Sequence, residues 1–270
     1  MGQPVAGNPT QFMMERAFAA AGLDWRYLTL EVSPPKLVDA VRGLRAMGFR
    51  GGNFTIPHKV AVLEHLDSLS EAAAVMGAVN CVCRDGDRLV GENTDGKGFL
   101  QSLRTLIDPV DQRIVILGAG GAARAIAVEL ALARAAELTI VNRGAARGEE
   151  LAKLLVDRLQ ASARFVPWPG DFVIPEGTQI LINATSIGLG DGDARVPIDL
   201  KSLDPSLVVA DVIFNPPRTR LVRDAAQRGC RTLDGLGMLV NQGVIGFRLW
   251  TGVEPDPLVM REALEEYLEV

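Results

Sequence analysis

The chain has 270 residues, of which 48% are hydrophobic and 23% charged, proportions that are ordinary for a folded globular protein. This length favours two domains over one or three. The 28 basic and 33 acidic residues give a net charge of −5, and no basic stripe predicts a nucleic-acid surface. No uncharged stretch is longer than that of residues 177–190, which is shorter than the roughly 20 residues that a membrane-spanning helix needs.

Cysteine and histidine are scarce, which argues against a disulfide framework and against a metal site. The three cysteines, Cys81, Cys83 and Cys230, are too few for such a framework, and the chain has only two histidines. No basic region followed by an apolar run marks a secretory signal at the start. We therefore expect a cytoplasmic protein that binds no metal, no nucleic acid and no membrane.

Helix and strand patterns alternate along the N-terminal part of the chain. Residues 13–21 predict a helix that ends at Gly22, residues 27–32 predict a strand, and a second helix begins near Pro34 and ends at Gly48. Such alternation is typical of an α/β domain with a largely parallel sheet. We therefore expect an N-terminal α/β domain whose sheet is mostly parallel.

A second α/β series occupies the middle of the chain, roughly over 99–234. Apolar runs predict strands over 113–117, 137–141, 164–168, 179–183 and 207–214, with helices over 122–132 and 218–228. The remaining residues, 235–270, are mostly helical in pattern.

A glycine-rich turn lies between the first strand of this series and the helix that follows it. Gly118, Gly120 and Gly121 let the chain turn tightly and let a pyrophosphate approach backbone N–H groups. The start of the helix adds unpaired N–H donors and a partial positive charge. Strand, turn and helix in this order predict a dinucleotide site; the alternative is a glycine-rich turn that binds nothing.

The residues after the second strand favour NADP over NAD. Enzymes that prefer NAD usually carry an acidic residue there, which accepts hydrogen bonds from the ribose 2′-hydroxyl. This chain has Asn142, Arg143 and Arg147 instead, and guanidinium groups can hold a 2′-phosphate through paired hydrogen bonds. The alternative is that both arginines are solvated surface charges.

Two polar segments have the residue types that proton transfer requires. Residues 52–59 place Lys59 near the start of a helix for which Pro57 suits the first turn, and residues 91–96 place Asp95 among turn-forming residues. A Lys–Asp pair can exchange a proton with a substrate hydroxyl while hydride goes to the nicotinamide. Each residue alone is weakly specific, because lysine at a helix start and aspartate in a turn are common without function.

Eight motifs in order resemble the shikimate dehydrogenase family along nearly the whole chain. They are NFTIPHK (53–59), GAVNC (77–81), NTDGKGF (93–99), GAGGAARA (118–125), NR with a later Arg (142–147), NATSIGL (183–189), DVIFNP (211–216) and DGLGMLVNQG (234–243). The resemblance implies a substrate-binding catalytic domain (1–98), a Rossmann NADP-binding domain (99–234), C-terminal helices that return to the first domain (235–270), and catalysis in a cleft. The implied reaction is the reversible NADP-linked interconversion of 3-dehydroshikimate and shikimate, in the biosynthesis of chorismate and aromatic amino acids.

The resemblance also implies a role for each matching residue. Lys59 would transfer the proton, and Asp95 would be its partner and bind substrate hydroxyls. The other positions that would hydrogen-bond the substrate ring are Thr55, Asn80 and Gln242. The cofactor positions would be Gly118, Ala119, Gly120, Gly121 and Ala122 at the pyrophosphate, Asn142, Arg143 and Arg147 at the 2′-phosphate, Val212 and Gly235 at the nicotinamide end, and Thr185 in the cleft wall. A strand-end hydroxyl that caps the backbone would explain Thr185 equally well.

The first loop, residues 2–11, departs most from the family. It normally reads G-x-P-I-x-H-S-x-S-P, and its two serines bind the substrate carboxylate, but Asn8 and Thr10 stand at those positions here. Thr10 keeps a hydroxyl donor and Asn8 offers an amide N–H, although the longer Asn8 side chain would shift the ring or make room for a different acid. Phe214 replaces the usual tyrosine, which removes one hydroxyl near the substrate. The family's first strand normally precedes this loop, so we expect a cropped start.

These departures leave two alternatives to the shikimate reaction. The nearer one is a dehydrogenase of the same fold that acts on quinate or another shikimate-like acid. The other is a ligand-sensing module without chemistry, against which the retained Lys59 and Asp95 argue. The expected partner is a small cyclic hydroxy acid, and the sequence leaves a homodimer open.

Overall fold

The computed structural model describes residues 1–270, which divide into two units. Unit 1 comprises Met1–Asp95 and Val240–Glu269, and unit 2 comprises Gly96–Leu239. No helix has both the length and the apolar character needed to cross a membrane.

Ten helices and ten strands follow one another along the chain. The helices are α1 (Thr10–Ala20), α2 (Leu37–Ala46), α3 (His58–Ala61), α4 (Glu71–Met76), α5 (Thr94–Leu103), α6 (Gly121–Leu132), α7 (Ala145–Leu159), α8 (Arg220–Gln227), α9 (Leu236–Thr251) and α10 (Pro257–Leu268). The strands are β1 (Gly51–Asn53), β2 (Ser68–Leu69), β3 (Cys81–Asp85), β4 (Arg88–Glu92), β5 (Arg113–Leu117), β6 (Glu137–Asn142), β7 (Ala163–Pro167), β8 (Ile180–Asn183), β9 (Val208–Asp211) and β10 (Arg231–Leu233).

The first two helices of unit 1 form where the sequence predicts them. In α2 the apolar residues Leu37, Val41 and Leu44 recur at helical spacing and are buried, because they lie on one face of the helix. Gly22 and Gly48 follow α1 and α2 with φ values of +67° and +71°, a conformation that favours glycine and ends a helix. Residues 27–32, predicted as a strand, contribute one isolated parallel bridge between Gly2 and Glu31.

The sheet of unit 1 is mostly antiparallel, so the expectation of a mostly parallel sheet is wrong. Its strand order is β1-β3-β4-β2; β3 pairs antiparallel with both β1 and β4, and only β2 with β4 is parallel. The cause is a tight hairpin between β3 and β4, where Gly86 has a φ of +58°. The two loop residues are Gly86 and Asp87, and glycine at the first position of a two-residue loop is a hairpin signal, which decides the direction of β4.

The C-terminal helices pack within unit 1. The indole Nε1 of Trp250 on α9 donates to the carbonyl of Val82 on β3 at 2.9 Å. A Cβ at Gly243 would lie 2.4 Å from the Met13 Cε, so α9 approaches α1 closely. The α10 helix lies along α1, with the ring centroids of Phe12 and Tyr267 5.8 Å apart.

Unit 2 is built on a six-stranded parallel sheet of order β10-β9-β8-β5-β6-β7. In chain order this is the 3-2-1-4-5-6 arrangement of a Rossmann fold, which confirms the predicted α/β class. From β5 the chain adds strands to one side of the sheet (β6, β7) and then to the other (β8, β9, β10), so the order reverses between the neighbours β5 and β8. Ligands of such sheets bind beyond the carboxyl ends of the strands at this point. The strand predicted over 207–214 ends at Asp211, because the Asp211 carboxylate accepts a hydrogen bond from the Ile213 N–H and turns the chain.

Candidate functional site

Lys59 and Asp95 meet in unit 1. The Nζ of Lys59, on α3, lies 2.5 Å from the Oδ2 of Asp95, and the two side chains are 33% and 20% exposed. Asp95 lies in the first turn of helix α5, not in the loop that the sequence predicts. A partly exposed ammonium in contact with a carboxylate can give a proton to a bound molecule, or take one from it.

The side chain of Asn80 positions Asp95. The Nδ2 of Asn80 donates to the Asp95 Oδ1 at 2.7 Å and to the Thr94 Oγ1 at 3.0 Å, and its Oδ1 accepts from the Thr94 N–H at 2.7 Å. Asn80 is 3% exposed. Both amide hydrogens are therefore engaged inside the protein, and Asn80 acts on Asp95 and on the start of α5.

One hairpin delivers these residues to the same place. Cys81 and Glu92 are paired across β3 and β4, so the residues just before β3 lie beside those just after β4. Lys59 joins them because its carbonyl accepts from the Val79 N–H at 2.8 Å. The motifs that carry Lys59, Asn80 and Asp95 thus converge through backbone hydrogen bonds.

The first loop is fixed to the segment that carries Lys59. The Thr55 N–H donates to the Met1 carbonyl at 2.9 Å, and the Gln3 N–H donates to the Ile56 carbonyl at 3.0 Å. At the end of this loop the Oδ1 of Asn8 accepts from the Thr10 N–H at 2.9 Å. Gln242 is buried on α9, the helix that packs on α1.

In unit 2 the glycine-rich turn has the shape that a dinucleotide requires. Gly118 has a φ of +111°, and a Cβ there would lie 2.7 Å from the Ala184 carbonyl oxygen and 3.2 Å from the Thr185 Cγ2. By contrast, a Cβ at Gly120 or Gly121 would meet nothing within 4 Å. The backbone at these two glycines therefore faces open space that ligand atoms can enter.

The start of α6 leaves N–H donors free of a side-chain cap. The N-cap residue is Gly120, which has no side chain to accept from the first turn. Ala119 lies in the turn before it, and Ala122 lies in the first turn of the helix. These donors and the open glycines fit a pyrophosphate.

The residues predicted for the 2′-phosphate follow β6. The Nδ2 of Asn142 donates to the Gly144 carbonyl at 2.8 Å and shapes the turn into α7. Arg143 and Arg147 are exposed, and neither forms an ion pair in the structure. Unpaired guanidinium groups beside this turn fit a phosphate monoester.

The hydroxyl of Thr185 belongs to a local turn. It donates to the Asn183 Oδ1 at 2.7 Å and accepts from the Ile187 N–H at 3.1 Å. The capping interpretation therefore describes this hydroxyl, while the Thr185 methyl group is the part that packs near Gly118.

Val212 and Gly235, predicted for the nicotinamide end, lie against each other. A Cβ at Gly235 would be 2.5 Å from the Val212 carbonyl oxygen, and the Gly235 N–H donates to the Ile213 carbonyl at 3.2 Å. Phe214 is half-buried in the same loop.

A buried carboxylate that we did not predict holds this loop. The Asp211 carboxylate accepts from the Asn183 Nδ2 at 2.9 Å, the Ile213 N–H at 3.1 Å and the Thr219 Oγ1 at 2.7 Å. The available signal was the position of Asp211 at the end of an apolar strand, where a carboxylate needs donors. Burial raises the pKa of Asp211 to about 6, although the three hydrogen bonds lower it.

The Asp211→Asn variant should change the pH dependence of stability. Because the folded pKa of Asp211 exceeds its ordinary value of 3.8, ionisation of Asp211 lowers the unfolding free energy as the pH rises through about 6, by roughly 3 kcal/mol in total. Asparagine does not titrate, so the unfolding free energy of the variant minus that of the wild type should increase between about pH 4 and 7. Urea unfolding at both pH values measures this difference, and a constant difference would contradict the assignment.

Comparisons with known proteins agree on one family. Residues 1–82 match the model of the shikimate dehydrogenase substrate binding domain, residues 103–164 that of shikimate / quinate 5-dehydrogenase, and residues 235–265 that of the shikimate 5'-dehydrogenase C-terminal domain. The shikimate dehydrogenase (NADP(+)) of Geobacter metallireducens is 42% identical over 97% of this chain and 93% of its own.

Solved structures add two similar proteins. The ligand-free 5-ketofructose reductase of Gluconobacter sp. strain CHM43 is 55% identical, with a TM-score of 0.97 over 98% of this chain and 96% of its own. A shikimate dehydrogenase in complex with NADP+ is 37% identical, with a TM-score of 0.92 over 99% of this chain and 93% of its own.

Proposed function

Because the chain belongs to the shikimate dehydrogenase family, we propose that it is an NADP-dependent oxidoreductase that interconverts a ketone and a secondary alcohol on a small polyhydroxylated substrate. The observation that carries this proposal is the 2.5 Å contact between the Lys59 Nζ and the Asp95 Oδ2. Two alcohol–ketone pairs are candidate substrates. The first loop is the part of the chain whose sequence distinguishes between them.

Lys59 is the proton-transfer residue. During reduction its Nζ gives a proton to the carbonyl oxygen as the carbonyl carbon gains hydrogen, and during oxidation it removes the hydroxyl proton. Asp95 keeps the Nζ in place and accepts a hydrogen bond from a neighbouring substrate hydroxyl. NADP(H), when bound by the glycine turn, Arg143 and Arg147, supplies or accepts the hydride.

The first candidate pair is 3-dehydroshikimate and shikimate. It is supported by the curated relatives near 42% identity, which are NADP-dependent shikimate dehydrogenases, and by all three matching family models. This reaction would place the protein in the biosynthesis of aromatic amino acids. Quinate is a variant of this candidate, because it is also a cyclic hydroxy acid.

The second candidate is the reduction of 5-ketofructose. Two specific observations favour it. The reductase with that activity is 55% identical over nearly the whole chain, and Asn8 and Thr10 replace the serines that bind the substrate carboxylate in the family. The substrate in this case is a neutral ketone.

Turnover of NADPH by the purified protein tests the proposal. We expect NADPH oxidation with 3-dehydroshikimate or with 5-ketofructose, and NADP+ reduction with the corresponding alcohol. Fluorescence of bound NADPH shows whether the cofactor site is intact in the same sample. Binding of NADPH without turnover of either ketone, and without NADP+ reduction by quinate, would refute the enzymatic assignment and favour the ligand-sensing alternative.

We also propose a cytoplasmic location and a small molecule as the only ligand besides the cofactor. The location is supported by three cysteines that are all free, as a reducing compartment would keep them. A homodimer stays a prediction, which sedimentation of the purified protein tests.

A further inference from the structure

We infer that Arg124 is a positioning residue for cofactor choice: its ion pair with Glu150 leaves Arg147 free to bind the 2′-phosphate of NADP(H). This inference rests on the proposed function and adds a determinant of the NADP preference to it. Three features of unit 2 support it: the contact between helices α6 and α7, the order of charges along α7, and a buried N–H group of Arg124.

An ion pair joins the two helices that border the proposed cofactor site. The Nη1 of Arg124, near the start of α6, lies 2.9 Å from the Oε1 of Glu150 on α7. The α6 helix begins in the glycine-rich turn, and α7 begins two residues after Arg143. The ion pair therefore connects the helix that we assign to the pyrophosphate with the helix that we assign to the 2′-phosphate.

Arg147 and Glu150 lie on the same face of α7. They are three residues apart, the spacing at which side chains of a helix are neighbours, and both are exposed. Arg147 is the nearer of the two to the start of α7 and to the turn after β6. A Glu150 carboxylate without Arg124 would have Arg147 as the neighbouring cation on its helix face.

Close packing of α7 on β7 fixes the direction of this face. A Cβ at Gly148 would lie 2.3 Å from the Phe165 Cδ2, so α7 lies against β7 at this residue. Rotation of α7 about its axis would bring a side chain against the Phe165 ring. Glu150 is therefore held opposite Arg124.

The Arg124 guanidinium occupies its place at a cost. Its Nε is buried and has no hydrogen-bond partner, an arrangement that lowers stability. A methionine would cover the same apolar surface without a buried donor, so packing alone does not explain an arginine at this position. Neutralisation of the Glu150 carboxylate does explain it.

A Glu150 carboxylate released from Arg124 would weaken NADP(H) binding in two ways. It would compete with the 2′-phosphate for Arg147, and it would repel the negative charge of that phosphate. For exposed groups such as these we expect an effect of about 5-fold on the dissociation constant. NADH lacks the 2′-phosphate, so its dissociation constant should change much less.

Calorimetric titration with NADPH and with NADH tests the inference without turnover. We expect Arg124→Met to bind NADPH about 5-fold more weakly than the wild type and to bind NADH almost unchanged. Adenosine 2′,5′-bisphosphate, which has the 2′-phosphate but no nicotinamide, should show the same loss as NADPH. Adding Glu150→Gln to Arg124→Met should restore the wild-type ratio of the two dissociation constants, because no carboxylate then competes for Arg147.

Glu149→Gln, added to Arg124→Met, is the matched control. It removes the same charge from the neighbouring residue of α7, which is also exposed. Glu149 is two residues from Arg147, a spacing at which side chains of a helix do not face each other, so this change should leave the ratio low.

An unchanged ratio in Arg124→Met, or equal restoration by Glu149→Gln and Glu150→Gln, would overturn the inference. If Arg124→Met does not fold, Glu150→Gln alone decides. Its ratio should stay at the wild-type value or move in favour of NADPH, because Arg124 becomes a further free cation, and a move towards NADH would overturn the inference. A wild type that binds NADPH no more tightly than NADH would instead refute the NADP preference in the proposed function.

Discussion

Replacing Lys59 by alanine should lower kcat by about 10² to 10⁴-fold while changing substrate affinity much less. This range is the usual contribution of a positioned proton donor or acceptor. The loss should appear in kcat because Lys59 stabilises the transition state, in which the proton moves, more than the ground state. Stopped-flow measurement of NADPH oxidation gives kcat, and quenching of protein fluorescence by substrate gives the affinity.

Two further variants separate proton transfer from structure. Lys59→Arg keeps a cation beside Asp95, but a guanidinium does not release its proton near neutral pH, so this variant should be nearly as slow as Lys59→Ala. Lys153→Ala removes an exposed lysine of α7 in unit 2 and should leave kcat unchanged. If Lys59→Ala retained wild-type kcat in folded protein, Lys59 would not be the proton-transfer residue.

Removing the two arginines after β6 should convert the protein from NADPH to NADH dependence. A hydrogen bond to a charged group contributes about 1.5–3 kcal/mol, so loss of both guanidinium groups should lower kcat/KM for NADPH by roughly 10² to 10⁴-fold. NADH lacks the 2′-phosphate, so its kcat/KM should change little in the Arg143→Ala, Arg147→Ala double variant. Initial rates with each cofactor at saturating ketone measure the ratio.

Arg158→Ala is the matched control for that experiment. Arg158 is exposed in the last turn of α7, the helix that begins beside Arg143 and carries Arg147. Its removal changes the net charge by one unit without touching the turn after β6. Equal losses for NADPH and NADH in the double variant would show that the arginines support folding and not phosphate recognition.

Unit 2 could be predicted well from the sequence because its signals are local. A buried parallel strand is a short apolar run, and the predicted bounds of β5 are those observed, Arg113–Leu117. The glycine turn follows it directly, so strand, turn and helix are recognised without knowledge of distant residues. Asp211 was missed because its partners, Asn183 and Thr219, lie in other segments of the chain.

Unit 1 was harder to predict because its sheet depends on pairings between short strands. β1 and β2 have three and two residues, too few for a periodicity to be read. Turn-forming residues such as Gly96 predicted a loop around Asp95, yet Asp95 lies in a helix. A Cβ at Gly96 would lie 2.3 Å from the Ala125 carbonyl oxygen, so close packing explains a glycine that sequence alone assigns to a turn.

The register of the β3–β4 hairpin sets the relative positions of Asn80 and Asp95 at its open end. The residue pairs from Cys81–Glu92 to Asp85–Arg88 fix which residue lies opposite Asn80. A register shift of one residue would move Asp95 away from the side chain of Asn80, which positions it. Gly86 and Asp87, at the far tip, are exposed. Insertions at the tip of the hairpin should therefore be tolerated, because the paired residues behind the tip keep their register. Deletion of a single paired residue of β3 or β4 should instead misplace the Asp95 carboxylate.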